Sequence, residues 1–219
     1  MIEIKKINHH AFSVKTNCYS EMKYYSQLNE SIIESFHFIS NMREHELLVK
    51  AVSVQPMNQL FKERMSYENV IKLMVCINQQ QQTLLEKGYS FYTLNIEDIL
   101  ILHHLNENED NYSFFCINPK HICLLNKDKS TFILTSVYSK LDFCSPELVH
   151  CSRLPDYTIS TASFYYTLAS LIYYCFFKEV VSPRNRENNL NSILYTPLYW
   201  FFQKGLHENI YSRKCFFLS

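Results

Sequence analysis

Glycine occurs only twice in the 219 residues, at Gly88 and Gly205, where average usage of about 7% would supply roughly fifteen. A phosphate cradle of the G-x-G-x-x-G or P-loop type needs several glycines, because only a backbone without side chains can approach the phosphates closely enough. Every mechanism that depends on such a cradle is excluded. The same bias, rich in Phe, Tyr, Ile, Asn and Lys, is what an AT-rich genome encodes.

The chain is long enough for one sizeable core, or for two small lobes that share a cleft. Apolar residues make up 47% and aromatics 15%, which is a folding composition rather than a disordered one. Lys+Arg and Asp+Glu balance at 21 each, so no net field draws the protein to nucleic acid or anionic surfaces, and no nucleic-acid partner is expected. The opening MIEIKKINHH lacks the apolar run of a secretory signal. A reducing, cytoplasmic setting is the expectation, with the eight cysteines as small apolar residues or free thiols. None forms a C-x-x-C pair, and Cys116/Cys123 and Cys144/Cys151 are too far apart for a zinc knuckle. His9-His10 and His103-His104 are adjacent pairs whose side chains point to opposite faces of a strand, so neither pair chelates one ion. No metal and no cofactor are expected.

Periodicity divides the chain near residue 56. Before it, Ile2, Ile4 and Ile7 mark a strand, Met22, Tyr25 and Leu28 one face of a helix over residues 19–28, and FHFIS and LLVKAVSV a strand pair. Gln55-Pro56-Met57 then breaks the ladder, since Pro has no amide to donate. Beyond it, Val70, Ile71, Met74, Ile77, Leu84 and Leu85 predict a helix from Ser66 to Lys87, with the polar run Gln79 to Gln82 in its middle and Gly88 as the residue that stops it. Short strands are predicted at 98–102, 113–117, 121–125 and 131–135. Ser145-Pro146-Glu147 begins a helix with a cap, a proline at its first position and an acid in its first turn. Residues 158–177 are twenty uncharged positions in a row. Their hydroxyl-rich start and dispersed tyrosines favour a buried central helix over a membrane span. Leu190 to Phe202 reads as helix, followed by a frayed end around Arg213.

Set in this order of elements, the stretch GYSFYTLNIEDIL, Gly88 to Leu100, resembles the catalytic loop of eukaryotic protein kinases, G-I-x-H-R-D-L-K-P-E-N-I-L. Gly88, Leu94, Glu97, Ile99 and Leu100 match without a gap. The reactive positions differ: Phe91 and Tyr92 stand at the His-Arg pair, Thr93 at the catalytic aspartate, Asn95 at the lysine and Asp98 at the metal-binding asparagine. Upstream, IEIKKI is similar to the third kinase strand, which puts the phosphate-pairing lysine at Lys5, and Glu21 heads a segment spaced like the family's C-helix, so that Lys5 and Glu21 would form its ion pair. Ser145-Pro146-Glu147 resembles the A-P-E that closes the activation segment, and Arg213 is placed to pair with Glu147. The uncharged helix takes the position of the family's F-helix, with Phe164 where an aspartate anchor is usual. With Lys5 on the third strand, the resemblance leaves no place in this sequence for the first two strands and their glycine-rich lid, and Asn126-Lys127-Asp128 stands nearest to the D-F-G position.

What the resemblance implies is an α+β, two-lobed protein-kinase-like fold, with a reduced β-rich lobe over residues 1–55 and a mainly helical lobe over 56–219. Phosphoryl transfer relies on positioning and metal-assisted charge neutralisation. Thr93 cannot take up the substrate proton as a carboxylate does, a loss of about 10²–10⁴-fold. The expectation is therefore a catalytically inactive pseudokinase that works as an interaction or scaffold module with a protein partner. Two alternatives remain: a weak phosphotransferase using Asp98, Asp128 and Lys5, and a membrane-associated structural protein anchored through residues 158–177.

Overall fold

Asn8 makes the first reversal of the chain without a glycine: its side-chain oxygen accepts from the His10 amide at 2.9 Å, and this Asx turn folds Ile2–Asn8 (β1) back onto Ala11–Thr16 (β2). The structure is a computed structural model that describes residues 2–16, 39–43, 46–104, 112–117, 121–128, 130–134, 143–150 and 157–214. The predicted helix over 19–28, Glu21 included, lies outside the described residues. Strand β2 pairs with Glu46–Lys50 (β4), which pairs in turn with Ile39–Arg43 (β3), giving an antiparallel sheet ordered β1-β2-β4-β3. Strand β2 was not predicted. Its alternation is carried by Phe12 and Val14 alone, both buried, too short a run to stand out by period.

The predicted strand LLVKAVSV is two strands in different sheets. After β4, Ala51 bonds back to the His10 carbonyl and Val52 forward to that of His103, so the chain changes sheets between them. Ser53–Pro56 (β5) then pairs with Ile99–His103 (β7), which pairs with Tyr112–Cys116 (β8). Pro56 ends its strand and caps the short helix Met57–Leu60 (α1).

Tyr67–Glu86 (α2) runs as its apolar spacing predicts, started by Ser66 accepting from the Asn69 amide at 3.3 Å. Tyr89–Phe91 (β6) pairs with Ile122–Leu124 (β9), and Thr131–Leu134 (β10) with Tyr157–Ser160 (β11). The short helix Pro146–His150 (α3) precedes β11. The uncharged run 158–177 is therefore not one helix: its β-branched and hydroxyl residues form the end of β11, and only Ser163–Phe177 (α4) is helical. At about 1.5 Å per residue α4 falls well short of a hydrocarbon core of about 30 Å, and no described helix is long and apolar enough to cross a membrane.

The last predicted helix is likewise two, Pro183–Asn191 (α5) and Pro197–Gly205 (α6), each with proline at its start behind a Ser182 or Thr196 cap. Between them Tyr195 takes φ 65°. The end around Arg213 is not frayed. A 3₁₀ turn, Ile210–Ser212, delivers Arg213 into a buried position.

The result is a mixed α+β fold whose main core runs from Phe12 to Leu206, with α4 packed between α2 and α6. Its two glycines sit where geometry demands them. Gly88 has φ 82°; at Gly205 a Cβ would stand 2.7 Å from the Ala169 Cβ and 3.1 Å from the Tyr165 carbonyl. Replacing Gly205 with alanine should overpack the α4–α6 crossing and cost about 1–3 kcal/mol, seen as a lower urea midpoint. A compensating Ala169→Gly change should recover part of it.

Candidate functional site

The end of α2 sets up the segment from Gly88 to Leu100. The left-handed Gly88 lets the Lys87 and Gly88 amides close on the Leu84 and Leu85 carbonyls, each at 3.0 Å, and the chain leaves directly into β6. Two glutamines of α2 hold β6 and β8 from behind. Gln81 accepts from the Phe91 amide and donates to the Ser90 hydroxyl, both at 2.9 Å. Gln80 donates to the Cys116 carbonyl at 2.7 Å and accepts from the Cys116 amide at 3.0 Å. The run Gln79 to Gln82 is thus no solvated stripe: Gln80 and Gln81 are buried, Gln79 and Gln82 exposed. The buried pair satisfies backbone groups that point away from their own sheets.

Of the residues that the resemblance sets at reactive positions, Phe91, Tyr92 and Thr93 are buried, and Asn95 and Asp98 are half-buried. Phe91 stacks on Phe164 at 6.1 Å with the rings 21° apart. An apolar stack therefore joins the loop to α4 at the position where the resemblance expects an aspartate. Tyr92 is buried beside His121. Thr93 is fully buried, its hydroxyl 3.8 Å from Cys144 Sγ. Asn95 is a cap: its side-chain oxygen accepts from the Glu97 amide at 3.0 Å and opens a 3₁₀ turn, Ile96–Asp98.

Asp98 is brought to His121, which the sequence reading did not single out. Their Oδ2 and Nε2 are 2.8 Å apart. Both belong to one small network, because the Asp98 carbonyl accepts from the Ile117 amide and the His121 carbonyl from the Tyr92 amide, each at 2.9 Å. No local pattern announces this pair; the partners lie 23 positions apart and meet because β9 pairs with β6, setting His121 beside Tyr92 at the start of the loop.

The other predicted residues disperse. Lys5 stands exposed on the edge strand β1, opposite Ser13 of β2. Asp128 sits in the turn between β9 and β10, where its carboxylate accepts from the Ser130 and Thr131 amides and the Thr131 hydroxyl. The Ser130 amide, then the Thr131 hydroxyl, holds this exposed carboxyl below the usual range. Asp128 is a turn residue.

Glu147 and Arg213 are brought together in an ion pair. The guanidinium also donates to the His207 carbonyl at 2.7 Å and the Glu208 carbonyl at 3.1 Å, and lies 4.9 Å from the Tyr166 ring centre. Burial by itself pushes the Glu147 carboxyl up, but the Arg213 hydrogen bond, the backbone amide of its own helix and the Arg213 charge outweigh it and hold the group below its usual range.

The chemistry available at the loop is therefore closed in on itself, with Asp98 engaged by His121 and the threonine hydroxyl buried. Burial pushes the Cys123 thiol far above the usual range and that of Cys175 up to about 12, which leaves both protonated and unreactive at neutral pH. Among the described residues no three His, Cys, Asp or Glu side chains gather as a metal site requires. No protein-family model matches the chain, and no curated protein matches its sequence.

Proposed function

We propose that the chain is a degenerate protein-kinase-like module, catalytically inactive, that acts in the cytoplasm by docking a protein partner. The observation that carries this reading is the Asp98–His121 pair at 2.8 Å. At the position where the resemblance expects a metal ligand, the carboxylate is satisfied from within the chain. The buried Thr93 supports the same reading, since a buried hydroxyl cannot draw the proton from an incoming substrate. The Phe91–Phe164 stack supports it too, because it keeps the loop joined to α4 while replacing polar chemistry with packing.

Lys5 is exposed on β1 and Glu21 lies outside the described residues, and the ion pair between them stays what the resemblance implies. The phosphotransferase alternative gains no support, because Asp128 is consumed by its own turn and Lys5 faces solvent.

ATP with Mg²⁺, titrated while thermal unfolding is followed, tests the proposal. A ligand that binds only the native state adds about 2.7 kcal/mol at 100 times its dissociation constant. The expected result is no saturable rise in the unfolding temperature. A saturable rise would overturn the inactive-module reading.

A further inference from the structure

Among the described residues, no strand pairs with the outer side of β1, which ends the sheet ordered β1-β2-β4-β3. Ile2 and Ile4 of this strand are half-buried and pack against the core. Lys6 shares their face, its Nζ 5.8 Å from the ring centre of the buried Phe12. Glu3, Lys5 and Ile7 stand exposed on the other face. Within the hairpin Lys5 lies opposite Ser13, so β2 sets no charge against it. The open side of an edge strand is a template for a further strand, and lysines on such an edge act against strands that leave them unpaired.

A second copy of β1 is a strand that does pair them. A two-fold axis normal to the sheet lays two copies of β1 antiparallel and makes the contact self-complementary. The core faces of both sheets then stay on one side only where odd-numbered residues meet odd and even meet even, because side chains alternate along a strand. Of these registers, the one centred on Ile4 sets opposite charges against each other. There Glu3 of each copy meets Lys5 of the other, Ile4 meets Ile4, and Ile2 lies under the aliphatic stem of Lys6. Moving the axis by one residue sets Glu3 against Glu3 or Lys5 against Lys5.

We infer that β1 is a self-association edge, where a second copy of this chain adds its own β1 in the antiparallel register centred on Ile4 and joins the two sheets into one. Main-chain hydrogen bonds along the edge supply the attraction, and the paired Glu3 and Lys5 side chains fix the register. One short strand from each copy buries little surface, so the dimer is weak and forms as concentration rises. The pairing uses none of the residues from Gly88 to Leu100. It goes beyond the inactive-module proposal, and either can fail without the other.

Sedimentation velocity of the full chain over a range of concentrations tests this. The expected result is a monomer that passes into a dimer as concentration rises. Lys5→Glu should keep the chain monomeric, because carboxylates then face each other across the axis. Glu3→Lys/Lys5→Glu should restore the dimer, because exchanging the two signs returns opposite charges to the same places. A wild type that stays monomeric, one that grows into open chains of copies as pairing of β1 with the β3 edge would give, or a double variant no more dimeric than Lys5→Glu would overturn the inference. Should either variant unfold early in urea, hydrogen exchange of the wild type decides. The β1 amides should gain protection as concentration rises, and protection that does not change overturns the pairing.

Discussion

Replacing Arg213 with methionine should destabilise the native state by about 3–5 kcal/mol, because removing one partner of a buried pair leaves the other charge uncompensated. Arg213 is 3% exposed. Its loss strands the Glu147 carboxylate and the carbonyls of His207 and Glu208 together. Urea unfolding reads the effect as a lower midpoint. The double variant Glu147→Leu/Arg213→Met should recover much of the loss, since well-packed apolar replacements of a buried pair are often neutral. A double variant no more stable than the single would show that backbone contacts of Arg213, not the ion pair, carry the effect. The acid side carries a second signature. Glu147 titrates below its usual range when folded, so its contribution is complete above the usual carboxylate pKa and is lost as the pH falls through the folded value. The stability gap between wild type and Arg213→Met should therefore narrow as the pH drops below about 4.

Gln80→Leu should be comparably damaging. The leucine fills the space but leaves both the amide and the carbonyl of Cys116 without their partner. At about 1–3 kcal/mol for each stranded buried group, the loss is about 2–6 kcal/mol, a large part of a typical domain stability of about 5–15 kcal/mol. Cys116 ends the edge strand of the β5-β7-β8 sheet, and Gln80 covers that edge as a neighbouring strand would. Hydrogen exchange at the Cys116 amide should lose protection in the variant. Gln82→Leu, at an exposed position of the same run, should change stability by no more than about 0.5 kcal/mol. Equal effects at the two sites would refute the distinction.

Glutamine 80 also shows where sequence reading stops. Helix α2 was legible because its apolar spacing and the Gly88 stop are local signals within one element. The strands around residues 99–103, 112–116 and 131–134 were legible for the same reason. That Gln80 and Gln81 turn inward was not, because their partners are backbone groups 36 and 10 residues away, and a glutamine reads as solvent-facing until its partner is known. At the loop, that Phe91, Tyr92 and Thr93 stand where the resemblance expects reactive groups is visible in the letters. Their burial, and the engagement of Asp98 by His121, are not.

By itself, then, the sequence determined which segments are helix or strand wherever period and caps agree, and that no glycine-built phosphate cradle exists. Tertiary structure decided that residues 158–177 divide into β11 and α4, that β4 and β5 enter different sheets, and which polar side chains are spent on one another. Period and capping act within a few residues along the chain, whereas a hydrogen bond between distant groups exists only once packing has brought them within reach.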